Sequence, residues 1–448
     1  MSSNALPGAV ADLEPALRQI LGDALAPGDA ACAVDGLVPR LVAAPASVEQ
    51  LAAALAAANE AGAAAIPWGG GRHMALGNIP ARYDIALRTA KLDRVLEHEP
   101  ADLTVTVEAG MTLGRLQALL AERGQFLPID PPAGRADAPS DATIGGVLAA
   151  GVSGPSRHAY GLPRDWLLGC RVVQADGTVF KGGGRVVKNV AGYDLPKLLI
   201  GSLGTLGVIV EATFKVAPLP AAQETFLAAF PSLPPAADLA FAADERGLAL
   251  RALALIHGPM STALPEVPAS GPEGALAAGW LAGPQAAVER TARELAGLAR
   301  EAQTRRLEGQ QSEGWWARLG EADAASEASV AVRASLPASA VAGFMERLAA
   351  LGREAGVAVA SLSHPTTGLV LARLDSGRDE RLVSAIQEAR RVAVEAGGCL
   401  VVTAAPVAIK ERLDVWGDMG EALPLMRRLK EQLDPRGTLN PGRFVGGL

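Results

Sequence analysis

Aromatic side chains make up only 4% of this 448-residue chain, lysine is scarce enough that arginine supplies most of the 41 cationic groups, and cysteine occurs three times. Each shortage closes a possibility. Cys32, Cys170 and Cys399 stand far apart, so no Cys-x-x-Cys metal site, iron–sulphur cluster or disulfide framework is expected, only reduced thiols. The five histidines, His73, His98, His158, His257 and His364, each stand alone, and no carboxylates pair with them at ligand spacing, so no metal is expected. A net charge of −7 and a pI near 5.5, without a basic run, leave no nucleic-acid footprint. No Gly-x-Gly-x-x-Gly occurs and no lysine is followed by Ser or Thr, which excludes the Rossmann fingerprint and the Walker A loop and disfavours a nicotinamide cofactor.

Long apolar runs are missing too. The longest uncharged stretch, Ala355 to Ala372, is broken by Ser363-His364-Pro365-Thr366-Thr367-Gly368 and reads as two strands around a turn. The N-terminal MSSNALPGAVADLEPAL has no basic segment followed by an apolar one, so neither a leader nor a membrane span of the chain's own is expected, and the expected location is cytoplasmic. At roughly 150 residues per domain the length allows two or three domains.

What is present is glycine in ordered places. From Lys188 to Val210 the chain reads KNVAGYDLPKLLIGSLGTLGVIV: a short helix, a glycine turn and a buried strand. Repeated glycine lets a backbone turn with positive φ and lets a flat or anionic ligand approach the main chain. Upstream, the apolar strand Ala63 to Ile66 runs into Pro67-Trp68-Gly69-Gly70-Gly71-Arg72-His73, where a row of backbone N–H groups could hold a pyrophosphate. A further glycine segment spans Ala142 to Gly154, and the chain ends on Asp434-Pro435-Arg436-Gly437-Thr438-Leu439-Asn440-Pro441-Gly442.

Helix and turn signals frame these segments. Leu13 to Leu21 reads as a loosely attached helix; Ser47 with Gln50 makes a capping box ahead of an alanine-rich helix; Thr112 caps a helix ended by Gly124. Arg171 to Val179 reads as a hairpin turning on Asp176-Gly177. From about residue 221 strands alternate with amphipathic helices, the pattern of an α+β layer with helices on one face of a mostly antiparallel sheet.

In K-N-V-A-G-Y-D-L, G-S-x-G-T-L-G-V-I, A-T-I-G-G-x-x-A and D-P-x-G-x-L-N-P-G the chain resembles the FAD-dependent oxidases and dehydrogenases related to vanillyl-alcohol oxidase and p-cresol methylhydroxylase. Within that family it is most similar to the FAD-binding E component of bacterial glycolate oxidase. The resemblance covers 34 to 219 and 398 to 443. It implies an α+β protein: a two-subdomain p-cresol methylhydroxylase-type FAD-binding domain over 34–220, after an N-terminal extension (1–33), then an α+β cap over 221–415. A C-terminal segment, 416–448, returns to the flavin.

It further implies FAD held without a covalent bond, since covalent relatives place His where Arg72 stands. Carried over residue by residue, the cofactor-binding positions are Pro67, Trp68, Gly69, Gly70, Gly71, Arg72 and His73, then Asp141, Thr143, Ile144, Gly145, Gly146, Ala149, Ser153, Gly154, Tyr160 and Gly161. Lys188, Asn189, Gly204, Gly207, Val208, Ile209 and Asn440 complete the set. Relatives often carry Asn where Gly151 stands. The implied function is that of the FAD-carrying subunit of a multi-subunit glycolate oxidase or dehydrogenase, oxidising glycolate or another small 2-hydroxy acid. Its partners would be a sibling catalytic flavin subunit and an iron–sulphur subunit, through which it could sit at the inner membrane. Two alternatives stay open, a self-sufficient dehydrogenase and a non-catalytic flavoprotein scaffold. The histidine-rich cap segment of catalytic siblings is absent, so no catalytic residue is assigned.

Overall fold

The computed structural model describes residues 13–132, 141–184, 194–269, 271, 274–322 and 329–448. Its first layer is a four-stranded sheet in the order Leu25–Pro27, Leu41–Ala43, Ile85–Arg88, Ala65–Trp68, covered by the helix Val48–Glu60. Ser47 Oγ accepts from Gln50 N at 3.2 Å, while Gln50 Oε1 takes the N–H of Ala46, one residue earlier than a reciprocal capping box would use. The helix Leu13–Leu21 is not loosely attached. Leu13, Leu17 and Leu21 repeat every four residues, form one stripe, and are buried in the same core as Leu51 and Leu55.

The second layer is an antiparallel five-stranded sheet, Val95–Glu99, Thr104–Glu108, Val208–Lys215, Leu167–Val173 and Val179–Gly183 in spatial order. Val208–Lys215, the strand that ends the glycine-rich stretch, lies at its centre with Val210, Ala212 and Phe214 fully buried. Both sheets present their loops to one cavity, because the glycine turns that leave Trp68 and enter Val208 sit side by side.

The third layer is an eight-stranded, wholly antiparallel sheet. Its order is Gln303–Glu308, Ala222–Phe230, Ala275–Gly283, Leu250–His257, Ala358–His364, Leu369–Asp375, Val330–Ser335 and Cys399–Ala404. Side chains alternate across it. Phe226, Ala228 and Phe230 face a core shared with the helices Leu233–Glu245, Gln285–Leu298, Val341–Ala355 and Asp379–Glu395. Leu227, Ala229 and Ile256 face the other way, against Trp315, Trp316 and Leu319 of the helix Gly309–Ala322. Helices therefore cover both faces, and the one-sided layer expected from the sequence is corrected by this last helix, whose tryptophans seal half of the second face.

The C-terminal helix Leu423–Leu433 and the turn after it pack back on the glycine turns. Lys430 is buried, and its Nζ donates to the carbonyls of Thr205 (2.9 Å) and Leu439 (2.8 Å) and to Asp434 Oδ2 (2.6 Å). Asp434 in turn accepts from Thr438 N and Leu439 N. Removing one partner of such a buried pair strands the other charge, so Lys430→Met should cost about 3–5 kcal/mol. Chemical denaturation of the purified variant checks this, with a loss under 1 kcal/mol as the contrary result.

Candidate functional site

Glycine follows the strand Ala65–Trp68 at position 69 because the chain there passes hard against Thr143, the cap of the helix Ile144–Ala150, and at position 71 because the backbone turns with φ +84°. A Cβ on Gly69 would collide with Thr143 Oγ1, the atom that caps Gly146 N at 3.2 Å. Gly151 ends that helix with φ +62°, and a Cβ there would lie 2.9 Å from Gly201 Cα. Close approach to Gly201 leaves no room for a side chain at this position.

Residues 67–73, Thr143, Gly145, Gly146, Ala149, Gly204, Gly207, Val208, Ile209 and Asn440 line a single cavity. Four segments separated by most of the chain thus meet in one place. Ser153 lines an adjoining cavity, its buried Oγ without a partner among the described residues, and Gly154 a third. The other predicted positions fall elsewhere. Ile144 is buried in the core of the second layer, Asp141 is exposed, and Gly161 turns against the Asp165 carboxylate. Tyr160 packs edge-on to Phe126 and Trp166, 5.6 and 6.0 Å between centroids. Lys188 and Asn189 lie outside the described residues. Asn440 reaches the cavity, but its amide is spent on structure: Nδ2 donates to the Leu203 carbonyl at 2.5 Å and Oδ1 accepts from Arg443.

Arg443, which sequence reasoning passes over, lines the same cavity as a buried cation. Its Nη2 donates to the carbonyls of Met74 and Leu76, while Nε has no partner among the described residues. Burial lowers its pKa to about 10, which leaves it charged at neutral pH. A glycine cradle open to backbone approach, with one buried cation in its wall and no carboxylate lining it, fits a diphosphate-bearing flavin cofactor.

Arg72 and His73 also border the adjoining cavity, together with Arg157 and Arg333. Arg333 rises from the third-layer strand Val330–Ser335, a cation set between valines and alanines; that interruption is the signal available in the sequence. Neither Arg157 nor Arg333 forms an ion pair with a described carboxylate. The Arg157 pKa is lowered by burial and then by the like charge of Arg333, against a partial offset from the Asp130 carboxylate; burial also lowers that of Arg333. Two desolvated like charges on one cavity are costly unless an anion joins them. No carboxylate anchor is visible in the sequence, because these arginines lie 176 positions apart (333 minus 157).

One imidazole, His73, borders this space, and a second, His364, borders the third cavity. His73 is hydrogen-bonded to the Pro132 backbone, and burial lowers its pKa to about 4. His364, 1% exposed, also falls to about 4 through burial; its Nδ1 lies 3.4 Å from the Leu253 carbonyl. Each is neutral at pH 7, with a buried Nε2 that has no partner among the described residues.

Residues 39–183 match the family described as FAD binding domain, and residues 219–444 match FAD linked oxidases, C-terminal domain. The second match alone spans half the chain. The chain belongs to the FAD-linked oxidases. It is 26% identical over 426 residues to the glycolate oxidase subunit GlcD of Bacillus subtilis, covering 91% of this chain and 89% of that one. It is 41% identical over 129 residues to glycolate oxidase subunit GlcE of Escherichia coli, 29% of this chain and 36% of the other. D-2-hydroxyglutarate dehydrogenase of Xanthomonas citri is 34% identical over 194 residues, 43% and 40% of the two chains.

Solved structures share the fold at low identity. p-Cresol methylhydroxylase with substrate bound aligns at TM-score 0.73 and 17% identity over 98% of this chain and 97% of its own. 4-Ethylphenol oxidase from Gulosibacter chungangensis aligns at 0.74 and 16% over 99% and 98%. This FAD-linked oxidase is accordingly an α+β flavoenzyme of the p-cresol methylhydroxylase type, and FAD is its cofactor.

Gly69→Val should therefore leave a protein that carries no FAD. Wild type at about 100 times its dissociation constant gains about 2.7 kcal/mol from the cofactor, and the variant's melting temperature should not rise when FAD is added. Gly207→Val tests the second glycine turn in the same way, its Cβ meeting Val172 Cγ1 of the neighbouring strand at 2.6 Å. Normal flavin content in Gly69→Val would remove that loop from the site.

The histidines give a pH dependence. Folded pKa values near 4, against about 6.5 unfolded, mean that the unfolded chain binds protons first as pH falls. Stability is full above 6.5 and declines toward pH 4, by up to about 3 kcal/mol per histidine. Melting between pH 7.5 and 5 should show the fall, reduced in His364→Gln; an unchanged slope would show that His364 is not a neutral buried group.

Proposed function

We propose that this FAD-linked oxidase oxidises 2-hydroxy acids in its own pocket, as the flavin-carrying subunit of a glycolate-oxidase-type assembly. The observation that carries the reading is the pair Arg157 and Arg333 on the cavity adjoining the flavin cradle, two half-buried cations that face each other's charge and form no ion pair with a described carboxylate, Asp130 acting on Arg157 only at a distance. A substrate carboxylate placed there supplies the missing anion and fixes the carbon bearing the hydroxyl. His73 Nε2, neutral and unpartnered on the same cavity, accepts the hydroxyl proton. FAD, when bound, takes up the hydride. Leu369 and Leu371 on the cap side keep that space apolar, which strengthens the hold of the two guanidinium groups on a carboxylate.

The assembly itself is supported by likeness to two glycolate oxidase subunits. A partner that passes electrons onward complements a chain with no metal-binding cluster among its described residues. No described helix is long and apolar enough to cross a membrane, so any place at the cytoplasmic face of one would come through partners. Arg72, at the position of the covalently attaching His in relatives, favours FAD held without a covalent bond.

On purified holoprotein, acid precipitation should leave the yellow flavin in the supernatant, and fluorescence remaining with the denatured chain would contradict this. Anaerobic addition of glycolate or lactate should bleach the visible absorbance at ~450 nm that oxidised flavins share. Arg157→Met and Arg333→Met should retain FAD and each lose at least about 100-fold in kcat/KM, a loss of ~2.7 kcal/mol in transition-state stabilisation. Full bleaching in both variants would remove the arginines from substrate binding. Bleaching by wild type only after partner subunits are added would move the chemistry to a partner.

A further inference from the structure

Beside the arginine-lined cavity, with Pro132 and Leu371 bordering both spaces, lies a chamber of about 270 Å³. This chamber lies beneath the helix Gly309–Ala322, between the third-layer sheet and residues 154–155 of the flavin domain. One wall is flat and aromatic. Trp280 and Trp316 stack with centroids 5.2 Å apart and planes 10° from parallel, and the Arg251 guanidinium sits 3.8 Å from the Trp280 ring centroid. Leu319 and Leu362 add apolar surface, and two carboxylates, Asp130, which accepts from Ser156 N, and Glu313 of the covering helix, also border it.

Two buried polar atoms on the lining have no partner among the described residues, Trp280 Nε1 and His364 Nε2. They differ in kind. An indole N–H can only donate, whereas His364 points Nδ1 toward the Leu253 carbonyl and so leaves Nε2 as an acceptor. Buried groups in this state are costly when left unmade. Glycolate has no side chain and lactate only a methyl group; with the carboxylate on Arg157 and Arg333 neither fills the space beyond Leu371. An aromatic ring does, packing against Leu319, Leu362 and the tryptophan pair, while the Trp280 faces themselves are occupied by Trp316 and Arg251.

We propose that this chamber is a side-chain subsite, and that the preferred substrates are 2-hydroxy acids bearing an aromatic-sized side chain. The inference rests on the function proposed above. It extends that reading from reaction type to substrate class.

Gly320 offers the test. It is helical, borders the chamber, and a Cβ on it meets no described atom within 4 Å, so Gly320→Phe starts its side chain in open space beside the chamber. Ala317→Trp, on the exposed side of the same helix and also bordering the chamber, is the companion should Gly320→Phe fail to fold. FAD-loaded protein is titrated with two product-like 2-oxo acids, glyoxylate and phenylpyruvate, following flavin absorbance and tryptophan fluorescence.

Phenylpyruvate should bind at least tenfold more tightly than glyoxylate and quench tryptophan emission. Gly320→Phe should weaken phenylpyruvate at least tenfold while flavin content and glyoxylate affinity stay within twofold. Equal affinities in wild type, or a variant that binds phenylpyruvate as wild type does, would overturn the subsite. Loss of FAD from Gly320→Phe would also overturn it, by placing the cofactor in the chamber. Failure of wild type to bind either oxo acid would instead defeat the carboxylate role of Arg157 and Arg333, and with it the proposed function.

Discussion

A cation withdrawn from water must find oxygen, and three such cations from the last forty residues hold this molecule together. Lys410 Nζ donates to Asp35 and to the carbonyls of Ala75 and Gly77. Lys430 takes the carbonyls of Thr205 and Leu439, and Arg443 those of Met74 and Leu76. Irregular loops have carbonyls to give because no neighbouring strand consumes them. The glycine-rich turns that build the cradle can stay irregular since the returning tail satisfies their oxygens. In exchange, those turns solvate charges that nothing else could bury.

That arrangement explains why the cradle and the cap form one site. The tail fixes loop 74–77 on one side and the Leu203–Thr205 turn on the other, so the cavity between them has two rigid rims. Above it lies the second face of the eight-stranded sheet. The helix Gly309–Ala322 closes only part of that face; the uncovered part carries Arg333, Leu369 and Leu371 toward the flavin domain. A sheet buried on both faces is ordinarily apolar throughout, and a lone guanidinium on such a strand has to be matched by a ligand or a charge from across the gap.

Local signals in the chain carry much of the architecture. The stripe of Leu13, Leu17 and Leu21 is a helix in the structure with the same ends, and Asp176-Gly177 turns a hairpin with Gly177 at φ +85°. The uncharged run near Ser363 divides into the strands Ala358–His364 and Leu369–Asp375. These features depend on neighbours in sequence, through side-chain period, capping and positive φ. Docking of the first helix is not legible in the same way, because its partners, Leu51 and Leu55, lie thirty residues on and nothing local names them. Gly309–Ala322 escapes sequence reasoning for a similar reason. Its two adjacent tryptophans do not repeat at helical spacing, and they become a core only against Leu227 and Ile256.

By itself the sequence determined that this protein has a glycine-built nucleotide cradle of neither Rossmann nor Walker type. Backbone freedom belongs to glycine whatever surrounds it, and the order of four motifs needs no coordinates. It also determined the α+β character, because periods of 2 and 3.6 are local. Only the tertiary structure decided what lines the cavities beside the cradle. Arg157 and Arg333 are ordinary surface-type residues until folding removes water from both and sets them on one cavity, and the neutrality of His73 and His364 is equally a product of burial. Electrostatic meaning of that kind depends on dielectric and distance, which exist between residues far apart in the chain and so are written in the fold alone.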